Sequence, residues 1–236
     1  EQVSCKLTDK GYSLYDLFDD AAEDERPVAI LPPKAGDGYL LVMTRQSMIK
    51  KTLWSEYDVN KTIFQAIRLN EGDRVISVQP ADPDEAGTTI FMVTRGGMCI
   101  NAKNEIPVQK RIAGGVRGIN LKEGDEVIFA SQIREEGEIV TVTKDGRFKR
   151  VIAAQIDPLP RYRRGVQVTS LKGTELLFAD YVTEPYILAV RTDEGELLEI
   201  DTESVSIETT STRGRPFKGT KWHPVEVYAV RCRGKE

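Results

Sequence analysis

Short runs of apolar and β-branched residues recur along the chain, and each run ends in a tight polar turn. Residues 90–94 (IFMVT) and 139–143 (IVTVT) show the pattern most clearly, since each leads into a turn that closes on Gly97 or Gly146. Such residues favour half-buried strands, and glycine supplies the left-handed backbone that a hairpin turn needs. The hairpin recurs at intervals of about 50 residues for most of the chain, beginning at Thr8, Thr44, Thr94, Thr143 and Thr192.

A second turn follows in the later units and leads into another apolar run. These turns contain Gly72-Asp73, Gly124-Asp125 and Gly173-Thr174. Each unit therefore predicts about four short strands, which is the content of one propeller blade. We predict an all-β fold in which a propeller-like repeat of five four-stranded antiparallel blades forms one domain over residues 1–236. The units are approximately 1–38, 39–86, 87–136, 137–184 and 185–236, and neighbours could exchange strands.

The pattern leaves open whether the units close into a disc or coil into an open spiral. The first unit is abbreviated, as expected of a terminal repeat that closes or caps an array. Because the sequence starts at Glu1 rather than Met, we expect the chain to be part of a longer protein; the alternative is that processing removed the start.

Composition narrows the class of protein further. The chain has 236 residues, of which 40% are hydrophobic and 30% charged, which is typical of a globular protein with a sizeable core. No apolar run approaches the ~18 residues that span a bilayer. Cys5, Cys99 and Cys232 are far apart in the sequence. Their spacing indicates reduced thiols in a cytoplasm rather than a disulfide framework.

Catalytic motifs are absent from the sequence. His223 is the only histidine, so a nucleophile–histidine pair or a zinc site of the usual spacing has no support. There is no phosphate-binding loop and no dinucleotide fingerprint. We therefore predict that the chain has no catalytic residues, no metal site and no cofactor of its own.

The charges are segregated, although the net charge of −4 argues mildly against a nucleic-acid partner. Acidic residues concentrate at 16–25 and 194–203, and a segregated field can bind a polyanion on one face. The alternative is that the charge runs are merely solvated loops. The candidate DNA-binding residues are Lys50, Lys51, Lys110, Arg111, Arg117, Arg147, Lys149, Arg150, Arg161, Arg163, Arg164, Arg213, Arg215, Lys218 and Lys221.

Three loops place arginine beside glycine at equivalent positions, namely 111–118, 161–166 and 213–219. A guanidinium group can bind two phosphate oxygens at once, and glycine lets backbone amides approach closely. One such loop per blade would form a basic track around a rim. Duplex DNA could follow it by bending, held through its phosphate backbone without base reading.

These motifs resemble the C-terminal β-pinwheel domain in the A subunits of DNA gyrase and topoisomerase IV. The resemblance covers residues 3 to about 230 and is most specific at 115–127 (GVRGINLKEGDEV). It implies a non-catalytic module of a bacterial type IIA topoisomerase that binds, bends and wraps duplex DNA and presents it for ATP-dependent strand passage. It also implies that the catalytic tyrosine, ATP and Mg²⁺ belong to other parts of the holoenzyme. The partners would be the catalytic core and the B subunit, in a nucleoid-associated complex of the bacterial cytoplasm.

One feature departs from the gyrase pattern. Gyrases carry a Gln-Arg-Arg-Gly-Gly-Lys-Gly box in the first blade, and this chain has no full copy of it. Either the box precedes Glu1, or the chain is of the topoisomerase IV type, which wraps DNA less strongly; we favour the second. The alternative function is a propeller-type scaffold for protein contacts, which the two acidic stretches would suit.

Overall fold

The computed structural model describes residues 10, 16, 25–31, 38–82, 85–134, 136–217 and 222–231. Short 3-10 turns lie at Trp54–Tyr57, Glu85–Gly87, Ala153–Gln155 and Thr202–Ser204. Within these ranges no helix is long and apolar enough to cross a membrane. The strands are β1 (Tyr39–Thr44), β2 (Met48–Leu53), β3 (Val75–Pro80), β4 (Thr89–Thr94), β5 (Met98–Lys103), β6 (Val116–Arg117), β7 (Val127–Ile133), β8 (Glu138–Thr143), β9 (Arg147–Ile152), β10 (Val166–Gln167), β11 (Leu176–Val182), β12 (Ile187–Thr192), β13 (Leu197–Asp201), β14 (Arg215–Pro216) and β15 (Pro224–Val230).

These strands form antiparallel sheets that repeat one arrangement. A hairpin forms the middle of each sheet, and a later strand of the same unit pairs with the first strand of the hairpin. In three sheets a two-residue strand from the following unit pairs with the second strand of the hairpin. The orders are β3-β1-β2-β6 (sheet I), β7-β4-β5-β10 (sheet II), β11-β8-β9-β14 (sheet III) and β15-β12-β13 (sheet IV).

A buried threonine begins each described hairpin turn. Its hydroxyl oxygen accepts a hydrogen bond of 3.0–3.2 Å from the amide four residues later, which fixes the turn. The fourth residue of the turn has a left-handed backbone, with φ between 68° and 86°, which favours glycine. These fourth residues are Ser47, Gly97, Gly146 and Gly195.

The sheets stack face to face, so that the first hairpin strands of sheets I, II and III (β1, β4 and β8) are buried on both faces. Successive side chains of a strand point to opposite faces. In sheet II, Ile90 and Met92 therefore pack against residues of sheet I. Phe91 and Val93 of the same strand pack in the core shared with sheet III. This packing explains why β1, β4 and β8 carry runs of apolar and β-branched residues rather than alternating with charged residues.

One strand of each sheet is innermost in the stack. Strand β7 contacts β3 of the preceding sheet and β11 of the following one, and β11 also contacts β15. The opposite edge of sheets I, II and III is formed by β6, β10 and β14, which therefore lie at the rim. Because each rim strand comes from the following unit, neighbouring units are joined at the rim as well as through their cores.

The predicted all-β fold with four-stranded repeating sheets is confirmed. The four sheets of the described residues correspond to the second to fifth predicted units. Most of the first unit, residues 1–38, lies outside the described residues, as does most of the acidic run at 16–25. The count of five blades and the unit boundaries therefore stay predictions.

Candidate nucleic-acid interface

Three loops run along the rim, each just before a rim strand. We call residues 110–117, 160–167 and 209–216 the first, second and third rim loops; they contain β6, β10 and β14 and lie on sheets I, II and III. Upstream of each loop, an isolated parallel bridge fixes the incoming chain to the same sheet. These bridges join Lys51 to Val108, Ala102 to Leu159 and Arg150 to Ile207.

The glycine before each rim strand has a structural reason to be there. Gly115, Gly165 and Gly214 are left-handed, with φ of 88°, 70° and 82°. A Cβ atom on Gly165 would lie 2.0 Å from the carbonyl oxygen of Cys99, and one on Gly115 would lie 2.6 Å from that of Ile49. These glycines let the rim loop pack against the backbone of the preceding sheet. Close approach to phosphate is therefore not needed to explain them.

The first and second rim loops meet in a cluster of arginine and tyrosine. An Nη atom of Arg117 donates to the hydroxyl of Tyr162 at 2.9 Å, and the guanidinium carbon lies 5.3 Å from the centre of the tyrosine ring. Arg161 donates to the carbonyl oxygen of Arg117 at 3.2 Å. Tyr162 also donates its amide to the carbonyl oxygen of Gly118 at 2.5 Å. These contacts hold two basic loops as one surface.

Arg163 and Arg164 extend this surface into solvent. Both side chains are exposed, and neither has a hydrogen bond or an ion pair to another residue of the described part of the chain. The backbone beside them is fixed, because the carbonyl oxygen of Arg163 accepts from the amide of Asn120 at 2.9 Å. The guanidinium groups of Arg163 and Arg164 therefore lie on a fixed backbone, and no carboxylate of the described residues pairs with them.

The third rim loop is also basic, but acidic neighbours partly neutralise it. Arg213 pairs with Asp145 at 2.6 Å, and Arg215 pairs with Glu208 at 3.2 Å while its side chain stays 77% exposed. Arg147 reaches the same Asp145 at 3.4 Å and donates to the carbonyl oxygen of Gly214 at 3.1 Å.

A backbone contact continues the surface from the second rim loop to the third. Just after the second loop, the amide of Ser170 donates to the carbonyl oxygen of Thr212 at 3.0 Å. The three rim loops are therefore joined in sequence along the rim.

At the start of the first rim loop, Lys110 pairs with Glu56 at 2.8 Å while its own side chain is 85% exposed. The hydrogen bond from Lys110, with one from the Arg111 amide, lowers the pKa of the Glu56 carboxyl. The Arg111 guanidinium donates to the carbonyl oxygen of Gln65 and lies 5.4 Å from the centre of the Phe64 ring. Lys110 therefore offers a surface charge, whereas Arg111 is largely committed to the protein.

Four of the candidate DNA-binding residues face inward, which corrects the sequence interpretation. Lys50 and Lys149 are fully buried, and Lys51 is buried with its ammonium group 5.3 Å from the centre of the Tyr39 ring. Arg150 pairs with Glu138 at 2.6 Å and donates to the carbonyl oxygens of two other residues, Val205 and Glu203. These four side chains do not belong to the exposed surface. Lys218 and Lys221 lie outside the described residues.

The basic residues at the hairpin turns form a separate set of ion pairs that sequence reasoning missed. Glu126 pairs with Arg45 at 3.2 Å and also with Arg95. Glu175 in turn pairs with Arg95 at 3.6 Å and with Lys144. This chain of alternating charges crosses three sheets at the turn ends. Its basic members are balanced by carboxylates and contribute little net positive charge.

Comparison with known proteins gives the family. A family model described as "DNA gyrase C-terminal domain, beta-propeller" matches residues 38–82, 88–134 and 137–179. The chain is 29% identical over 204 residues to the A subunit of DNA topoisomerase 4 from Bacillus subtilis (strain 168), covering 82% of this chain and 25% of that protein. It is 31% identical over 198 residues to the A subunit of DNA gyrase from Klebsiella oxytoca, covering 81% and 22%. The chain thus spans about a quarter of the length of these relatives.

Solved structures agree on the fold. The crystal structure of the C-terminal domain of DNA topoisomerase IV matches with a TM-score of 0.83 at 23% identity, over 93% of this chain and 70% of that one. The DNA gyrase A C-terminal domain matches with a TM-score of 0.72 at 19% identity, over 94% and 76%. Since the family model matches more than half of the sequence, the chain belongs to the DNA gyrase C-terminal β-propeller family, as the C-terminal domain of a type IIA topoisomerase A subunit.

Proposed function

We propose that the chain binds duplex DNA through its phosphates along the three rim loops and bends the DNA around the rim. The observation that carries the proposal is the second rim loop, where Arg163 and Arg164 are exposed and unpaired within the described residues. The Arg117–Tyr162 contact connects this loop to the first, and the Ser170–Thr212 contact connects it to the third. The exposed basic residues of this surface are Lys110, Arg117, Arg163, Arg164 and Arg215.

Charge segregation supports DNA as the ligand despite the net charge of −4. Strand β13, on the far sheet from the first rim loop, carries exposed acidic residues at Glu199 and Asp201. A duplex would be attracted to the rim of sheets I to III and repelled from β13. Phosphate contacts of this kind give affinity and a fixed orientation but little base preference.

Bending follows from the arrangement of the rim loops on successive sheets. In a β-propeller, the fold that the family description names, successive sheets lie around a central axis, so a straight duplex could not contact all three loops at once. Smooth bending of a site of 20–30 base pairs by 40–90° costs of order 1–6 kcal/mol, which additional phosphate contacts can offset.

In the whole enzyme, we propose that this domain presents the bent duplex to the catalytic core for ATP-dependent strand passage. The catalytic tyrosine, ATP and Mg²⁺ would then be supplied by the B subunit and the remaining three quarters of the A subunit, in the bacterial cytoplasm. The topoisomerase 4 relative and the gyrase relative match this chain at nearly the same identity, 29% and 31%. The preference for the topoisomerase IV type therefore rests only on the missing gyrase box.

The test is the salt dependence of binding to a duplex of about 40 base pairs, measured by fluorescence anisotropy. The logarithm of the binding constant should fall steeply with the logarithm of salt concentration, by about 0.9 per phosphate contacted. Arg163→Ala/Arg164→Ala should reduce this slope by about 2. The matched control is Lys122→Ala/Lys172→Ala, which removes two exposed charges from turns outside the three rim loops. Equal slopes for the two double variants would contradict the proposal.

A further inference from the structure

Two fully buried lysines lie beneath the rim loops. Lys50 is the third residue of β2 and Lys149 is the third residue of β9, so they occupy equivalent positions in sheets I and III. Neither ammonium group is exposed to solvent. Because burying a charge is costly unless it is paired and hydrogen-bonded, two such residues in one small domain require an explanation.

The ammonium group of Lys149 is held by backbone carbonyls of the third rim loop. Its Nζ atom donates to the carbonyl oxygens of Thr209 and Thr212, each at 2.9 Å, and lies 3.4 Å from that of Thr210. An ammonium group has three donors, so these carbonyls can use all of them. An apolar side chain would remove this shared donor, and the carbonyl oxygens of Thr209 and Thr212 would keep only their weaker or neutral donors, among them the amides of Thr212 and Ser170.

The ammonium group of Lys50 has the same relation to the first rim loop. Its Nζ atom donates to the carbonyl oxygens of Arg111 and Ala66. It also lies 5.4 Å from the centre of the Tyr57 ring. In both loops the inward carbonyls precede the left-handed glycine, which is Gly115 or Gly214. The lysine therefore binds the inner side of the turn whose outer side carries arginine.

The second rim loop has no such lysine. The equivalent residue of β5 is Ile100, which packs in the core between sheets I and II. That loop is fixed instead by the contacts of Tyr162 with Arg117 and Gly118. The one rim loop without a lysine beneath it is thus held in another way.

We propose that Lys50 and Lys149 are positioning residues, which hold the first and third rim loops in the conformation that directs their basic side chains toward DNA. Neither lysine contacts the DNA itself. Lys149 acts through Arg213 and Arg215, and Lys50 acts through the loop that carries Arg117. The inference rests on the proposed function, because it assigns a role within the same surface.

A double-mutant cycle between Lys149→Met and Arg213→Ala/Arg215→Ala tests the proposal. We expect Lys149→Met to weaken DNA binding about fivefold in the unsubstituted background and by less than twofold when both arginines are absent, since coupled residues are not additive. Lys172→Met, which removes an exposed lysine, should weaken binding by less than twofold in both backgrounds. A fivefold loss from Lys149→Met in both backgrounds would overturn the proposal.

Hydrogen exchange without DNA provides the independent readout. Amides of residues 209–217 should exchange at least tenfold faster in Lys149→Met, whereas those of β4 and β8 should be unchanged. Unchanged protection of the loop would overturn the proposal. If the Met variant does not fold, Lys149→Gln, which keeps two donors, replaces it in both measurements, with intermediate loop protection expected.

The two proposals fail in different ways. Absence of DNA binding by the unsubstituted chain would remove the proposed function and this inference with it. DNA binding that is weakened by Arg213→Ala/Arg215→Ala but shows no coupling to Lys149 would remove this inference alone.

Discussion

The Ser47 hydroxyl donates to the carbonyl oxygen of Ile119 at 2.9 Å and accepts from the Ile119 amide at 2.7 Å. Ser47 is in the first described hairpin turn, and Ile119 follows the rim strand of the next unit. Both residues are buried. One side chain thus ties two units together, at the turn position where the other hairpins have glycine.

Ser47→Ala should therefore destabilise the fold by about 1–3 kcal/mol, because it leaves a buried amide and a buried carbonyl without partners. Alanine and serine are both strained at φ 68°, so the backbone is not the cause of the loss. Urea unfolding measures the change, with the exposed Ser211→Ala as control, expected within about 0.5 kcal/mol of the unsubstituted chain. Equal stabilities of the two variants would show that the hydrogen bonds between Ser47 and Ile119 do not stabilise the fold.

Gly165→Ala should be far more damaging than Gly173→Ala, although both glycines are left-handed. The added Cβ atom would lie 2.0 Å from the Cys99 carbonyl oxygen in the first case and would meet nothing within 4 Å in the second. We expect about 1–2 kcal/mol for the left-handed strain alone at Gly173, and a greater loss at Gly165 because β10 must move off sheet II. Thermal unfolding of the two variants measures the difference in stability. Equal losses of stability would contradict the packing of the rim loop on Cys99.

The buried lysines predict a rise in stability at alkaline pH. Burial lowers the pKa of Lys149 from 10.5 to about 8, with Glu208 acting in the opposite direction. Between these two values the unfolded chain binds more protons than the folded chain, so the free energy of unfolding rises with pH. The stability of the unsubstituted chain minus that of Lys149→Gln should increase from pH 8 to pH 10. A difference that stays flat or falls would be inconsistent with this lowered pKa.

Cys99 should be unreactive in the folded chain. It is fully buried, and burial raises the pKa of its thiol to about 12. Since the thiolate is the reactive form, a Cys5→Ser/Cys232→Ser variant should not react with a thiol reagent at pH 8 until urea unfolds it. Rapid labelling of this variant under native conditions would show that sheets II and III separate readily.

The hairpins could be predicted from sequence because their signals are local. A threonine and, three residues later, a glycine specify the turn, and the flanking apolar residues specify the strands. The repetition of the hairpins then predicts the fold class, because each unit can bury its apolar strands only by packing against its neighbours. Ser47 also fits the turn pattern, because it lies three residues after Thr44. Its hydrogen bonds to Ile119 could not be predicted in this way, because they depend on a residue of the next unit.

The division between exposed and buried basic residues could not be predicted. Alternation along β2 would place one of Lys50 and Lys51 outside, but both are buried because the strand is covered from both sides. Whether a lysine meets carbonyls from a loop about 60 residues away depends on the packing of the next unit. Tyr162 was also missed; its position between Arg161 and Arg163 was the available signal, since arginine stacks on aromatic rings.

The most direct test of the DNA path is site-specific photo-crosslinking of a duplex to single cysteines. In a variant otherwise free of cysteine, Ile112→Cys, Pro160→Cys and Ser211→Cys place a thiol-linked photoreactive group on each rim loop. Glu199→Cys places it on β13. The rim path predicts efficient crosslinks from all three loops and a yield at least tenfold lower from position 199. Equal yields at position 199 and on the rim loops would contradict it.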